Sequence, residues 1–331
     1  MISAKSISVR SKKSMAKTLL ISFFCVVAFM IFFIESPIII ERMKSGLNIC
    51  AKTIIPSLFP YMVLSEVLIS SGLDRLFDKT VGGAFEKIFK LPRRSSSAFF
   101  LGLLCGFPVG TKISYSLYEK GKITNSELFH LLLISNIQSS AFIINTVGIS
   151  LLGSKNAGII LYLSQIIALT VIGILYPRFY PTGSDPSIRQ IKEIRQERKG
   201  IALTFTSSVK SSTLGILIIC GFVLFFYVLC GIMLDLGQKL GDLSIIALAI
   251  SSMLEMSCGC IETAGALTSK YALLACSMIL GFSGISLHFQ IMSLCPDAKI
   301  KYGRFFVFKI LSSIIAGICT VLLNLIFNIF A

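Results

Sequence analysis

The sequence predicts an all-α polytopic membrane protein with about seven transmembrane helices and two re-entrant helical hairpins in an inverted repeat. Three observations predict it. Of 331 residues, 54% are hydrophobic and only 14% charged, with a mean hydropathy of +0.84, and apolar runs repeatedly exceed the ~20 residues a helix needs to cross a bilayer. Two apolar stretches, 98–118 and 245–267, are interrupted at their centres by CGFPVGTK (Cys105 to Lys112) and EMSCGCIET (Glu255 to Thr263). Finally, the Lys and Arg residues fall into alternating rich and poor loops, as membrane topology requires.

Taken in order, a basic N-terminus leads into an apolar run over 18–36, too long and without the small-residue site of a cleaved signal, hence an uncleaved first helix. Residues 41–55 carry Arg42, Lys44 and Lys52 among apolar neighbours and read as a short interfacial helix on the outer face. A span over 56–72 precedes the first interrupted stretch. The span over 127–152 is broken by SNIQSS (Ser135 to Ser140), and an intact span covers 156–177. Residues 181–200 open with PTGSDP and continue as a charged, loop-like segment with a short helix. A span over 210–234, the second interrupted stretch, a span over 271–295 broken by GFSGIS (Gly281 to Ser286) and a last span over 305–328 complete the chain.

One membrane domain therefore covers 1–331: an N-terminal helix (1–40), a first repeat (45–152), a linking helix and basic loop (153–200), a second repeat (201–295) and a C-terminal helix (296–331).

Charge decides how the interrupted stretches lie. If both are hairpins that return to the side they entered, and the N-terminus is cytoplasmic, 22 of the 31 Lys and Arg face inside, while Arg42, Lys44, Lys52, Lys155, Lys239 and Lys270 face outside. Lys112, Lys210 and Lys309 remain within segments. Full crossings would instead expose the six cations of 178–199, against the positive-inside bias. In the hairpin arrangement the two repeats have opposite orientation, and lipid cannot satisfy unwound backbone, so tips and breaks must face protein or a watery cavity.

The formal charge of +15 comes without an aromatic-interleaved basic patch, so nucleic acid is not expected. The ten cysteines lie almost all within apolar segments and form no disulfide framework. Gly281-Phe282-Ser283-Gly284 matches a GxSG protease string, but Ser283 and His288 are five apart, about 140° around one helix, which separates base from nucleophile. Walker, HExxH and dinucleotide motifs do not occur. The sequence reads as a non-enzyme, with no catalytic residue, metal or cofactor.

The runs FLGLLCGFPVGTKISYSLYEKGKITNSE (100–127), SNIQSSAFIINTVGISLLGS (135–154), LEMSCGCIETAGAL (254–267) and GFSGISLHFQIMSL (281–294) resemble the YlbJ-type sporulation integral membrane proteins, also called SpoVV. These belong to the nucleoside-recognition or gate-domain superfamily, related to concentrative nucleoside transporters. The resemblance covers most of residues 45–328 and implies the hairpin architecture, a place in the outer forespore membrane if the host sporulates, and passage of dipicolinic acid. The second tip departs from the pattern, with Ser257-Cys258-Gly259 where Thr-Asn-Gly is implied.

The candidate binding residues are those of the tips and breaks. Gly106, Pro108, Gly110 and Thr111 shape the first tip. Lys112, just past it, either meets an anionic group or forms an ion pair with Glu255 or Glu262. Glu255, Ser257, Gly259 and Glu262 belong to the second tip, where the resemblance gives Glu255 the family's acidic position; a carboxylate there suits a coupling proton or cation, and Glu262 reads equally as a solvated rim residue. Asn136, Gln138, Ser139 and Ser140 in the first break, and Ser283, Ser286 and His288 in the second, supply neutral donors and acceptors or, for serine and histidine, helix packing. Three readings stand: a secondary transporter or facilitator of a small anionic solute; a carrier of nucleosides or related polar metabolites; and a non-transporting structural or maturation partner. The expected partners are the bilayer, the solute, a coupling proton or sodium ion and a second copy in a homo-oligomer.

Overall fold

The computed structural model describes residues 29–72, 74–180, 200–241 and 243–329 together with scattered positions between 15 and 27. Everything regular in them is helical. An apolar helix α1 (Thr18–Ile34), part of which lies outside the described residues, leads into α2 (Ser36–Ser70). Two short helices, α3 (Asp74–Thr80) and α4 (Gly82–Phe89), precede a hairpin of α5 (Ser96–Cys105) and α6 (Val109–Glu119). Then come α7 (Asn125–Ile134), α8 (Phe142–Leu151), α9 (Lys155–Phe179) and α10 (Ile201–Lys239). A second hairpin of α11 (Ser244–Leu254) and α12 (Met256–Ala266) is followed by α13 (Ser269–Phe282), α14 (Gly284–Leu294) and α15 (Tyr302–Phe327). The charged loop expected over 181–199 lies outside the described residues.

Five helices are long and apolar enough to cross a membrane, Ser36–Ser70, Lys155–Phe179, Ala202–Lys239, Ser269–Leu294 and Tyr302–Phe327. The chain is a multi-pass membrane protein. The expected span over 127–152 is not one helix: it divides into α7, a non-helical link of residues 135–139, and the π-helical α8. The expected interfacial helix over 41–55 is also absent as a separate element. It is the first half of α2, which continues through a π turn at Cys50–Ile54, where the Ile55 amide donates to the Cys50 carbonyl, just before Pro56, whose ring nitrogen has no proton to donate.

The reason α2 runs on is its partner. The helix lies antiparallel against α10 along its whole length, with Gly46 against Leu224 and Tyr227, Arg42 over Gly231, and Met62 over Gly215. Helices of 35 and 39 residues are roughly 50–60 Å long, beyond the ~30 Å of hydrocarbon. Behind this pair, α9, α13 and α15 form a bundle with α7 and α8. Hydroxyls and small residues hold it together: Thr320 bonds Ser164 (2.8 Å) and Ser277 (2.7 Å), Gln165 Nε2 donates to the Ser277 carbonyl (3.0 Å), and Gly281 admits the backbone of Ser312 and Ser313.

The hairpins lie between these two layers. Each arm has 10 or 11 residues, about 15 Å, half a bilayer. Small residues allow the arms to meet: the Cα of Gly110 lies 3.2 Å from where a Cβ on Gly102 would stand, and Ser252 Cα lies 2.6 Å from that of Gly259. Contacts between the halves are reciprocal. The second arm of the first hairpin, α6, touches α14, while the second arm of the other, α12, touches α8.

Candidate functional site

Each tip rests on a break. Gly106 has φ +78°, and a side chain there would run into the backbone of Gln138 and Ser139; beside it the Phe107 amide donates to the Ile137 carbonyl (2.6 Å). Gly284 has φ +72°, with the Met256 amide and the Leu254 carbonyl within 3.0–3.3 Å of its would-be Cβ. A break whose polar backbone is met by a tip keeps its hydrogen-bonding groups out of lipid. The first tip contains a cis Phe107–Pro108 peptide, and the second is Glu255 alone, in extended conformation. Ser257-Cys258-Gly259, expected to form that tip, instead makes the first turn of α12.

Between tips, breaks and the two long helices lies a small cavity with an open mouth. Phe107 comes from the first tip, Glu255, Met256 and Ser257 from the second, Gln138 and Ser139 from the first break, and Ser283, Leu287 and Gln290 from the second. Ile54, Ser57 and Leu58 close it from the π turn of α2, and Ile219 and Val223 from α10.

The polar groups differ in how they are occupied. Glu255 caps α12 by accepting from the Cys258 amide (2.6 Å), and the Ser139 hydroxyl accepts from the Phe142 amide (3.2 Å). Gln290 Nε2 donates to Ser286 (3.0 Å). Gln138 is 3% exposed, and its amide nitrogen has no partner among the described residues. A buried donor of this kind costs about 1–3 kcal/mol until something accepts from it.

The other candidate residues lie away from the lining. Thr111 bonds Asn136 Oδ1, while Asn136 Nδ2 donates to the Leu132 carbonyl (2.8 Å), so these two clasp the hairpin to the break. Gly110 leaves no room for a side chain beside the Ser135 carbonyl, and Pro108 precedes α6. Ser140 opens the helical turn leading into α8 and is not part of the wall. His288 stands among Phe282, Tyr302, Phe305 and Phe306 with Nε2 at the Phe282 carbonyl (3.0 Å), and the Ser283 hydroxyl bonds Leu280 and Lys309 rather than an imidazole.

Lys112 pairs with neither Glu255 nor Glu262. Its ammonium is 3.0 Å from Glu66 on α2 and 3.2 Å from both the carbonyl and the hydroxyl of Ser211 on α10, with its head over Gly215. Glu262 pairs with Arg42 of α2 at 2.7 Å. The second arm of each hairpin is thus tied by one ion pair to the same long helix.

Besides Glu255 in the wall, a second charged group stands just behind it: Lys309, which lies within the apolar run expected to form the last helix. It is 1% exposed, and its ammonium donates to the Ser283 hydroxyl (3.1 Å) and the Asn136 carbonyl (3.4 Å), bridging the two breaks one hydrogen bond behind the cavity wall. Among the described residues it forms no ion pair. Its sequence signal is a lysine inside an apolar run, on a helix whose buried positions Ser313, Ala316, Gly317, Thr320 and Asn324 follow at helical spacing.

No family model matches the chain. The sporulation integral membrane protein YlbJ of Bacillus subtilis is 25% identical over 317 residues, covering 86% of this chain and 77% of that protein. Two structures of CNTnw variants in an outward-facing state superpose with TM-scores of 0.53 and 0.55, covering 98% and 96% of this chain and 88% of theirs, at 13% and 14% identity. The chain is thus similar in sequence to the sporulation integral membrane protein YlbJ and shares the fold of the CNTnw structures.

Proposed function

We propose that the protein is a secondary transporter or facilitator of a small anionic solute, with both hairpins re-entrant and the solute held between their tips. The observation that carries this reading is the buried Lys309 ammonium, without a carboxylate partner among the described residues and one hydroxyl behind the wall. A solute anion one further hydrogen bond away, roughly 6 Å, gains about 3 kcal/mol at an effective dielectric of about 20. Ser283, Ser139, Ser257 and the free amide of Gln138 supply directional contacts. The half-bilayer arms and the reciprocal contacts of α6 with α14 and α12 with α8 support the inverted repeat. Glu255, at the second tip, is the group through which proton movement couples to the cycle.

Within this class the proposed solute is dipicolinate, which the resemblance of the tip and break sequences to YlbJ-type sporulation proteins implies. A second reading, a nucleoside or polar metabolite, is favoured by the Glu255 carboxylate in the wall, which suits a solute offering hydroxyl or amide donors. Binding titrations of purified protein in choline buffer, without Na⁺ or K⁺, against pyridine-2,6-dicarboxylate and uridine separate the two: the proposal expects saturable dicarboxylate binding that weakens about ten- to a hundredfold in Lys309→Ala. Binding of uridine alone would transfer the site to the second reading, and binding of neither would leave a structural role.

A further inference from the structure

Unwound carbonyls and hydroxyls at the breaks of discontinuous helices are the ligands with which membrane carriers hold a coupling cation. Here the Asn136 carbonyl of one break and the Ser283 hydroxyl of the other converge on a single point, and the ammonium of Lys309 stands there, 3.4 Å and 3.1 Å from them. Ser312, one turn further along α15, has a buried hydroxyl without a partner among the described residues. Two oxygens from different breaks thus meet one fixed positive charge, with an unpartnered buried hydroxyl one turn along the same helix.

We infer that Lys309 is a tethered cation occupying an inorganic monovalent-cation site, so that the two breaks are held together without Na⁺ or K⁺. The position is not one at which the bilayer tolerates a lysine for packing alone: a helix-centre lysine costs about 3 kcal/mol on insertion scales, and a methionine fills such a space without that cost. What an ammonium offers in return is attraction to two outward-facing lone pairs that would otherwise be unmet in a dry interior. The inference rests on the proposed transport reading only for what the cation accomplishes; the site itself is testable without a solute.

The test is thermal unfolding of the purified full chain in detergent, in 200 mM NaCl against 200 mM choline chloride and 200 mM methylammonium chloride. The wild-type midpoint is expected to be the same in all three. Lys309→Ala empties the site and Lys309→Ser adds an oxygen to it, so both should acquire stabilisation by Na⁺ or methylammonium over choline, about 2 °C when the ion is tenfold above its Kd. Sodium-specific stabilisation of the wild type would overturn the inference, as would a folded Lys309→Ala and Lys309→Ser pair indifferent to the cation. Failure of both variants to fold in sodium-containing buffer would overturn it too, because the free ion should replace the ammonium. Solute binding has no part in this readout, so loss of the transport proposal would appear separately, as an absence of binding in the titrations.

Discussion

Two lysines divide the labour of charge, and the one that sequence pattern singles out, Lys112, pairs with Glu66, whereas Lys309 lies one hydrogen bond behind the cavity wall. Lys112 follows the GFPVG turn, where a cation beside a hairpin tip looks functional; its partner Glu66 lies 46 positions away, a distance over which local pattern carries no information. Lys112→Ala should therefore lower stability by about 1–2 kcal/mol through loss of a half-buried pair and change solute affinity less than threefold. Scanning fluorimetry with a binding titration checks this, and abolished binding in a well-folded variant would return Lys112 to the site. Glu255 was legible, as a carboxylate inside an interrupted apolar run. Glu255→Gln keeps an acceptor for the Cys258 amide and should melt within about 1 kcal/mol of the wild type, with a flattened pH dependence of uptake in proteoliposomes. A normal pH profile in that variant would remove it from coupling.

At the scale of elements, what punctuation marks was readable and what distant packing decides was not. Gly-Phe-Pro and Gly-Phe-Ser-Gly announce the first tip and the second break because glycine tolerates the positive φ found at Gly106 and Gly284. The non-helical link of 135–139 was signalled by clustered Asn, Gln and Ser. The continuity of α2 was hidden, since Arg42, Lys44 and Lys52 suggest an interface; Glu262, 220 positions away, neutralises Arg42. The tip of the second hairpin was displaced by a few residues, because Ser257 and Gly259 look like turn residues, yet a Glu255 cap lets the helix start at Met256. Gly106→Ala should cost 2 kcal/mol or more, both from φ and from collision with Ser139, while Gly83→Ala, with open space around it, should be neutral or slightly stabilising. Equal melting temperatures for the two would show that the first tip does not rest on its break.

Across the whole molecule, composition and charge placement carried most of the information, because burial of long apolar helices is a global requirement that every span repeats. The positive-inside distribution predicts that a cysteine introduced at residue 190 is labelled only from the cytoplasmic side and one at residue 238 only from outside; external labelling at 190 would dismantle the re-entrant arrangement. What no single segment encodes is the convergence of six elements on one cavity, and the most direct measurement addresses that. Ser57 stands on α2 in the cavity wall and belongs to neither a tip nor a break. Ser57→Trp fills the space without removing any polar group of the proposed solute contacts. Calorimetric titration of this variant with dicarboxylate and with uridine should show no saturable binding of either, at a melting temperature within about 2 °C of the wild type. Wild-type affinity in a folded Ser57→Trp protein would contradict the account, since the solute would then bind somewhere other than between the tips.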